Sequence, residues 1–266
     1  LDPDGELTAV QNHAAGAVAG ERRLVLVVGP AGTGKTTAMR PAVGRLHAQG
    51  RPCFGVAPSA AAAEVLAVDT GIDADTLDKL LIEHRLDRPP QHRYDLPAGA
   101  TVIVDEAAMV ATPRLADLID LADRRGWRLA LIGDPMQFAA VGRSGMFGHL
   151  VETIGAVELD RVHRFDASWE RDASLRLRRG DTDVVALYDR NDRLHGGTGR
   201  QMAKATVAAW RRANEAGETA AMMAPTRVGV DVLNELAQQE RITAGEIDLR
   251  TAFAYSINTV AAQLGN

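Results

Sequence analysis

The chain has 266 residues, with 30 Lys+Arg against 35 Asp+Glu (formal net charge -5), 46% hydrophobic and 24% charged residues, enough for one large or two modest globular domains with ample core. No apolar run reaches about 18 residues, which excludes a membrane-spanning helix, and the single Cys53 excludes a disulfide framework and suits a reducing cytoplasm. Scattered histidines and a lone cysteine argue against structural zinc, and the acidic balance argues against a generally basic nucleic-acid coat, though not against a local groove.

In chain order, Leu24-Val28 is an apolar run ending in Gly29 and predicts a buried strand. A helix is predicted from Thr36 to about Ala48, a strand over Pro52-Ala57 and a helix over Ser59-Val68. Asp75 is the candidate cap of a helix through Leu77, Leu80 and Leu81. Asp87-Gly99, with Pro89, Pro90 and Pro97, reads as loop or short hairpin. Thr101-Val104, Arg128-Ile132 and Ala156-Leu159 are further strands, with a helix over Pro113-Arg124 between the first two. Strands alternating with helices predict an α/β fold with a parallel sheet covered on both faces. Beyond about residue 160 the texture changes: Arg161-Gly180 is arginine-rich and mixed in charge, the pattern of a solvated helix face. Helices over Thr198-Ala213 and Val228-Gln239, with a strand at Ala220-Ala224, suggest the start of a second α/β lobe. The expected organisation is a first domain over 1-157, an incomplete second one over 158-248 and a divergent tail over 249-266. With Leu1 at its start and no signal peptide, the chain reads as a segment of something longer.

Gly29-Pro30-Ala31-Gly32-Thr33-Gly34-Lys35-Thr36 is a complete G-x-x-x-x-G-K-T between a predicted strand and a predicted helix. Glycines let the backbone wrap a phosphate, and bare N–H groups at a helix start supply positive potential. In such a loop Lys35 reaches the β/γ-phosphates and Thr36 ligates Mg²⁺, with Thr37 next along the helix. Lys35 is one of only three lysines, with Lys79 and Lys204. Val102-Ile103-Val104-Asp105-Glu106 is an apolar strand that delivers two carboxylates to the carboxyl edge of the sheet, where open α/β folds bind ligands. Asp105 is the candidate metal ligand and Glu106 the candidate base for an attacking water; the plainer alternative is a solvated acidic pair. Leu131-Ile132-Gly133-Asp134-Pro135-Met136-Gln137 ends another strand in a polar turn, where Gln137 can orient water at a γ-phosphate or simply sit exposed.

Taken together, Gly29-Thr36, Asp105-Glu106-Ala107-Ala108-Met109 and Gly133-Gln137 resemble motifs I, II and III of superfamily 1 DNA helicases, in particular the RecD-like branch found in conjugative relaxases of the TraA/TraI (MobF) kind. Leu7-Thr8 with Gln11 is similar to the family's leading L-T-x-x-Q, Ala57-Pro58-Ser59-Ala60 to motif Ia, and Thr76-Leu81 to a segment that touches DNA. Val141-Gly145 continues motif III, Leu159-Phe165 resembles motif IV, and Met223-Thr226 with Asn234 matches the start of the second motor domain. The resemblance implies a P-loop (RecA-like) fold and an ATP- and Mg²⁺-dependent motor moving 5′ to 3′ on single-stranded DNA. It implies that Gln11 selects adenine, that Gly29 to Thr37 bind nucleotide, that Thr36 and Asp105 hold metal, and that Lys35, Glu106, Gln137 and Arg164 act on the γ-phosphate. Gln11 has a second reading as a surface helix residue. For stacking on DNA bases the aromatic candidates are Phe54, Phe138, Phe147 and Trp169, each of which also suits a core.

Motifs V and VI are not found in the chain, nor is the tyrosine and histidine cluster of a nicking relaxase, so a relaxase domain is expected elsewhere in the parent protein. In the tail, Ser256-Ile-Asn258 is similar to the S-x-N of penicillin-binding transpeptidases, but S-x-x-K and K-T-G are missing. The tail is read as an amphipathic helix or an unrelated fusion, without chemistry. Three functions stay open: a helicase ATPase core, another P-loop ATPase, and a truncated module that binds ATP or DNA without turnover.

Overall fold

The computed structural model describes residues 7–30, 32–137, 145–159, 165 and 167–243. The chain divides into two compact units, Leu1–Asp181 and Thr182–Asn266.

In chain order the first unit contains α1 (Ala9–Val18), β1 (Leu24–Val28), α2 (Lys35–Ala48), β2 (Cys53–Ala57), α3 (Ala60–Thr70), β3 (Ala74–Thr76) and α4 (Leu77–Arg85). It continues with β4 (Thr101–Val104), α5 (Thr112–Arg125), β5 (Arg128–Gly133), α6 (Met146–Ile154), β6 (Val157–Glu158) and α7 (Ser168–Arg178). The strands form one six-stranded sheet in the order β3-β2-β4-β5-β1-β6, every pairing parallel. This is the expected α/β architecture.

Both faces of the sheet are covered, which is why its strands are apolar runs without alternation. Side chains nevertheless alternate between two cores, as the pleat requires. Leu26, Val28, Val102, Val104, Leu129 and Leu131 face α4 and α5 together with Phe54, Tyr94 and Trp127. Val25, Val27, Ile103, Ala130 and Ile132 face α1 and α2. A polar network closes the amino-terminal rim of the sheet. Arg51 donates to the carbonyls of Ala19 (2.8 Å) and Gly20 (3.0 Å) and to Thr101 Oγ1 (3.3 Å). Arg128 donates to Gly99 O (3.1 Å) and to Glu21 (2.9 Å).

Two local expectations change, and one open alternative is decided. The cap of α4 is Thr76, whose hydroxyl accepts from Lys79 N at 3.2 Å. Asp75 lies instead in the short edge strand β3 and accepts from Tyr94 Oη at 2.7 Å. A hydroxyl one residue nearer the helix reaches the third helical amide better than the carboxylate does. Residues 87–99 are loop, one of the two expected alternatives, with a single 3-10 turn at His92–Tyr94. The segment is pinned by buried Glu83, which accepts from Lys79 Nζ (2.8 Å), Arg88 Nη2 (3.3 Å), and Gln91 N and Nε2 (both 3.2 Å). In the second unit, α8 (Val185–Arg190), α9 (Gly199–Glu215) and α10 (Arg227–Thr243) are present. Ala220–Ala224 is no strand; Met222 alone forms an isolated bridge. Val207, Met222, Val230, Leu233 and Ala237 make its small core. The tail at 249–266 lies outside the described residues.

Leu131 is fully buried in the central strand β5, so Leu131→Ala should cost about 2–5 kcal/mol of stability in urea unfolding, through lost transfer energy and the cavity left behind. Glu83 is held down to about 2, from an ordinary 4.5, first by the hydrogen bond from Lys79 and then by the Gln91 amide and the Arg88 charge, against its burial. A lowered carboxylate contributes stability above its unfolded pKa and loses it as pH falls through the folded one. Thermal midpoints measured from pH 5 to 2 should therefore fall more steeply for the native chain than for Glu83→Gln; parallel curves would contradict this.

Candidate nucleotide-binding site

The three motif-bearing strands are neighbours in the sheet, β4-β5-β1, although far apart in sequence. Adjacent strands lie about 4.8 Å apart, so motifs II, III and I emerge side by side at one carboxyl edge. The Gly29 amide donates to Gly133 O at 3.1 Å and so joins the start of the P-loop to the end of β5. The loop then turns on Pro30, whose carbonyl accepts from Thr33 N (3.3 Å) and Thr33 Oγ1 (2.8 Å). Gly34 adopts a left-handed φ of 75° at the cap of α2, and a Cβ there would stand 2.6 Å from Gln11 Nε2. Glycine is required at that position on both counts. Lys35 begins the helix, is buried, and donates from Nζ back to Gly29 O at 3.0 Å. Thr36 is half-buried and Thr37 exposed in the first turn, where unpaired helix amides favour an anion. Ala31 lies outside the described residues.

Gln11 is 2% exposed, which removes the reading as a surface helix residue. Its Oε1 accepts from Thr8 N (3.1 Å) while Thr8 Oγ1 accepts from Gln11 N (3.2 Å), a capping box at the start of α1. Its Nε2 donates to Thr33 O at 3.4 Å. The same amide thus starts a helix and braces the P-loop from below.

At the end of β4, Asp105 N donates to Val56 O (2.9 Å) and Asp105 Oδ1 accepts from Glu106 N (2.9 Å). Glu106 has φ 50° and ψ 41°, left-handed values that cost a side-chain-bearing residue on the order of 1–2 kcal/mol. Its Oε2 is buried with no hydrogen-bond partner among the described residues. Burial raises the Asp105 carboxyl; the Glu106 amide and Lys35 partly offset this. Burial likewise raises Glu106, with Lys35 opposing and Asp105 and Asp134 reinforcing the shift. Among the described residues Lys35 is the cation that opposes the effect of burial on both carboxyl groups. A cation between them and a phosphate would favour their charged forms further. Among the described residues no three His, Cys, Asp or Glu side chains cluster to hold a metal unaided. One carboxylate and one hydroxyl, Asp105 and Thr36, are the donor set Mg²⁺ takes when phosphate supplies the remainder.

Gln137 follows β5 in a turn where its N donates to Asp134 O at 3.0 Å. Asp134 itself is 2% exposed; its Oδ1 accepts from Met136 N (3.0 Å) and its two oxygens take a fork from Arg178, Nε to Oδ2 at 3.2 Å and Nη2 to Oδ1. Sequence reasoning missed this pair. The mixed-charge pattern of Arg161-Gly180 predicts a solvated face, which holds for Arg176 in α7 and Arg179 just beyond it, both exposed, but not for Arg178. Nothing in the spacing singles out Arg178 among the arginines of Arg161-Gly180, although the acidic residue after Gly133 is visible in the sequence. Arg164, Phe138 and Val141–Ser144 lie outside the described residues.

In the segment Thr76–Leu81, Leu77, Leu80 and Leu81 are core. Thr76 is a helix cap, Asp78 pairs with Arg114 at 2.9 Å, and Lys79, paired with Glu83, keeps 40% of its side chain exposed. Phe54 and Phe147 are core residues too, unavailable for stacking, and Trp169 is half-buried.

A parallel sheet whose β1 hands a glycine-cornered loop to the start of a helix, with carboxylates on a nearby strand, is the fold of P-loop nucleoside triphosphatases, and this chain has it. A family model described as an AAA domain matches residues 6–199; the chain belongs to that family. It is 34% identical over 246 residues to the conjugal transfer protein TraA of Agrobacterium fabrum, covering 91% of this chain and 22% of that one. It is also 34% identical over 205 residues to the RecBCD enzyme subunit RecD of Mycolicibacterium smegmatis (66% of this chain, 36% of that one). The crystal structure of Pif1 helicase from Candida albicans aligns with a TM-score of 0.58 at 18% identity, over 90% of this chain and 55% of that one, a likeness of fold. The kinship to RecD-like helicases of conjugative proteins expected from motifs I to III is thus borne out. The chain spans 22% of the length of its TraA relative. No helix of the described residues is long and apolar enough to cross a membrane.

Glu106 combines left-handed strain with an unpartnered buried oxygen. Glu106→Gly should therefore raise the unfolding free energy of the nucleotide-free chain by about 1 kcal/mol, since glycine adopts that conformation without strain and its greater unfolded-state entropy offsets only part of the gain. Urea titration checks it; a loss of stability would show that the carboxylate is a structural group.

Proposed function

We propose that this segment is the nucleotide-binding half of an ATP-driven motor that moves on single-stranded DNA, 5′ to 3′, within a longer conjugal transfer protein. The observation that carries this reading is that the segments bearing Lys35, Asp105-Glu106 and Gln137 leave three adjacent strands at one edge, with the buried Glu106 Oε2 lacking a partner among the described residues. The family membership and the TraA and RecD relatives support it, and the small share of TraA that the chain spans supports a parent protein with further domains, a relaxase among them. The cytoplasm, where ATP is available, is the compartment this reading requires.

In this mechanism the first-turn amides of α2 and Lys35 hold the phosphates, Lys35 giving up its bond to Gly29 O. Gln11 contacts adenine, at the expense of its bond to Thr8 N or to Thr33 O. Mg²⁺, held by Thr36 and Asp105, would supply charge neutralisation at the phosphate oxygens. Glu106, a base made more proton-hungry by burial, takes a proton from water as the water oxygen bonds the γ-phosphorus and the bond to the bridging β,γ-oxygen breaks. Gln137 orients that water. Arg164 adds positive charge at the γ-phosphate.

ATP turnover, measured with and without single-stranded DNA, tests the reading. DNA should stimulate the native chain, and Lys35→Ala and Glu106→Gln should each lose turnover by about 10²-fold or more. Calorimetry should show nucleotide binding weakened in Lys35→Ala and retained in Glu106→Gln. Turnover indifferent to DNA would point to a different ATPase, and tight binding without turnover in every form to a binding module.

A further inference from the structure

We propose that Arg178 is a positioning residue for Gln137, acting through the buried carboxylate of Asp134. Its kinetic consequence rests on the ATPase reading above; its structural consequence rests on the geometry alone. Asp134 is the hub of the turn that follows β5. Its carbonyl accepts from Gln137 N (3.0 Å) and its Oδ1 from Met136 N (3.0 Å), so main chain and side chain of one residue together set the path to Gln137. Arg178 then fixes the carboxylate itself. Its fork engages both oxygens, and a planar guanidinium held at two points prevents the carboxylate from rotating.

The other side of the turn is equally constrained. A Cβ on Gly133 would lie 3.0 Å from Ala108 N, 3.2 Å from Ala107 N and 3.2 Å from Phe147 Cε1, so the end of β5 is pressed against the short helix that follows Glu106. Gripped by Arg178 on one flank and packed on the motif II turn on the other, Gln137 is located relative to Glu106 by a continuous set of contacts. Neighbouring arginines do not substitute: Arg176 donates to Asp181 at 2.8 Å and Arg179 is exposed. Removal of Arg178 would leave the Asp134 charge buried and unpaired in a site where Glu106 already feels it.

The test compares the native chain with Arg178→Gln, Arg178→Lys, Gln137→Ala and the double variant Arg178→Gln/Gln137→Ala. Hydrogen exchange at the Met136 and Gln137 amides should accelerate about tenfold or more in Arg178→Gln, while Val102–Val104 in β4 stays protected, because only the turn opens locally. Arg178→Lys should give an intermediate value. Unchanged exchange at the two amides, or a uniform rise across β4 as well, overturns the proposal. Kinetically, Arg178→Gln should lower kcat about tenfold with unchanged nucleotide Kd, and should cause no further loss in the Gln137→Ala background. Losses that add in the double variant, or a change confined to KM, overturn it. A native chain no faster than Lys35→Ala would refute the ATPase reading, and the exchange data would then decide the positioning role alone. Should Arg178→Gln fail to fold, Asp134→Asn takes its place in both measurements, with the same results expected and the same results overturning the proposal.

Discussion

One backbone hydrogen bond, from the Gly29 amide to the Gly133 carbonyl at 3.1 Å, joins the loop that would hold phosphate to the strand end that carries Gln137. The chemistry of the segment depends on that join. Lys35 returns its ammonium to the carbonyl of the same Gly29, and Gly133 presses on the turn that follows Glu106. Three motifs written far apart in the chain become a single rigid object because parallel pairing places β4, β5 and β1 next to one another, and because glycines at the two joined positions allow backbones to meet.

Electrostatics gives this object its direction. Burial drives both Asp105 and Glu106 toward their protonated forms, and Lys35 opposes that drive. An ammonium bonded to a neutral carbonyl rather than to a carboxylate is free to exchange partners at small cost. The strained backbone of Glu106 and its bare oxygen are the complementary half: energy held locally at a position where a tightly packed sheet end prevents relaxation. Such an arrangement is preorganised for charge that arrives with a ligand, the general condition for electrostatic catalysis.

Much of this was legible in the sequence, and for identifiable reasons. Strands buried on both faces are apolar runs after at most one polar first residue, so β1, β4 and β5 stand out with their ends nearly correct. The P-loop is fixed by the torsional demands of its glycines. Less legible were features that depend on a partner distant in sequence. Gln11 read equally well as surface, because nothing local reveals that α1 tucks it beneath the P-loop. Asp75 and Thr76 are both good caps by type, and the choice went to the hydroxyl once Tyr94 had claimed the carboxylate. Arg178 was hidden among equivalent neighbours in α7; only the fold shows which one points at Asp134. In the second unit Ala220–Ala224 has a strand's composition, but among the described residues it makes only the isolated bridge at Met222, and composition alone does not make a ladder.

The guanidinium groups of Arg51 and Arg128 secure the amino-terminal rim of the sheet by bonding to backbone carbonyls and hydroxyl oxygen. That rim lies a full strand, on the order of 13 Å, from the carboxylates at the opposite edge. The two margins of one sheet therefore serve separate ends, cohesion at one and ligand contact at the other. A substitution at the first margin bears on the cohesion of the domain and one at the second on what the carboxyl edge can hold, so durability can be altered without touching the opposite edge.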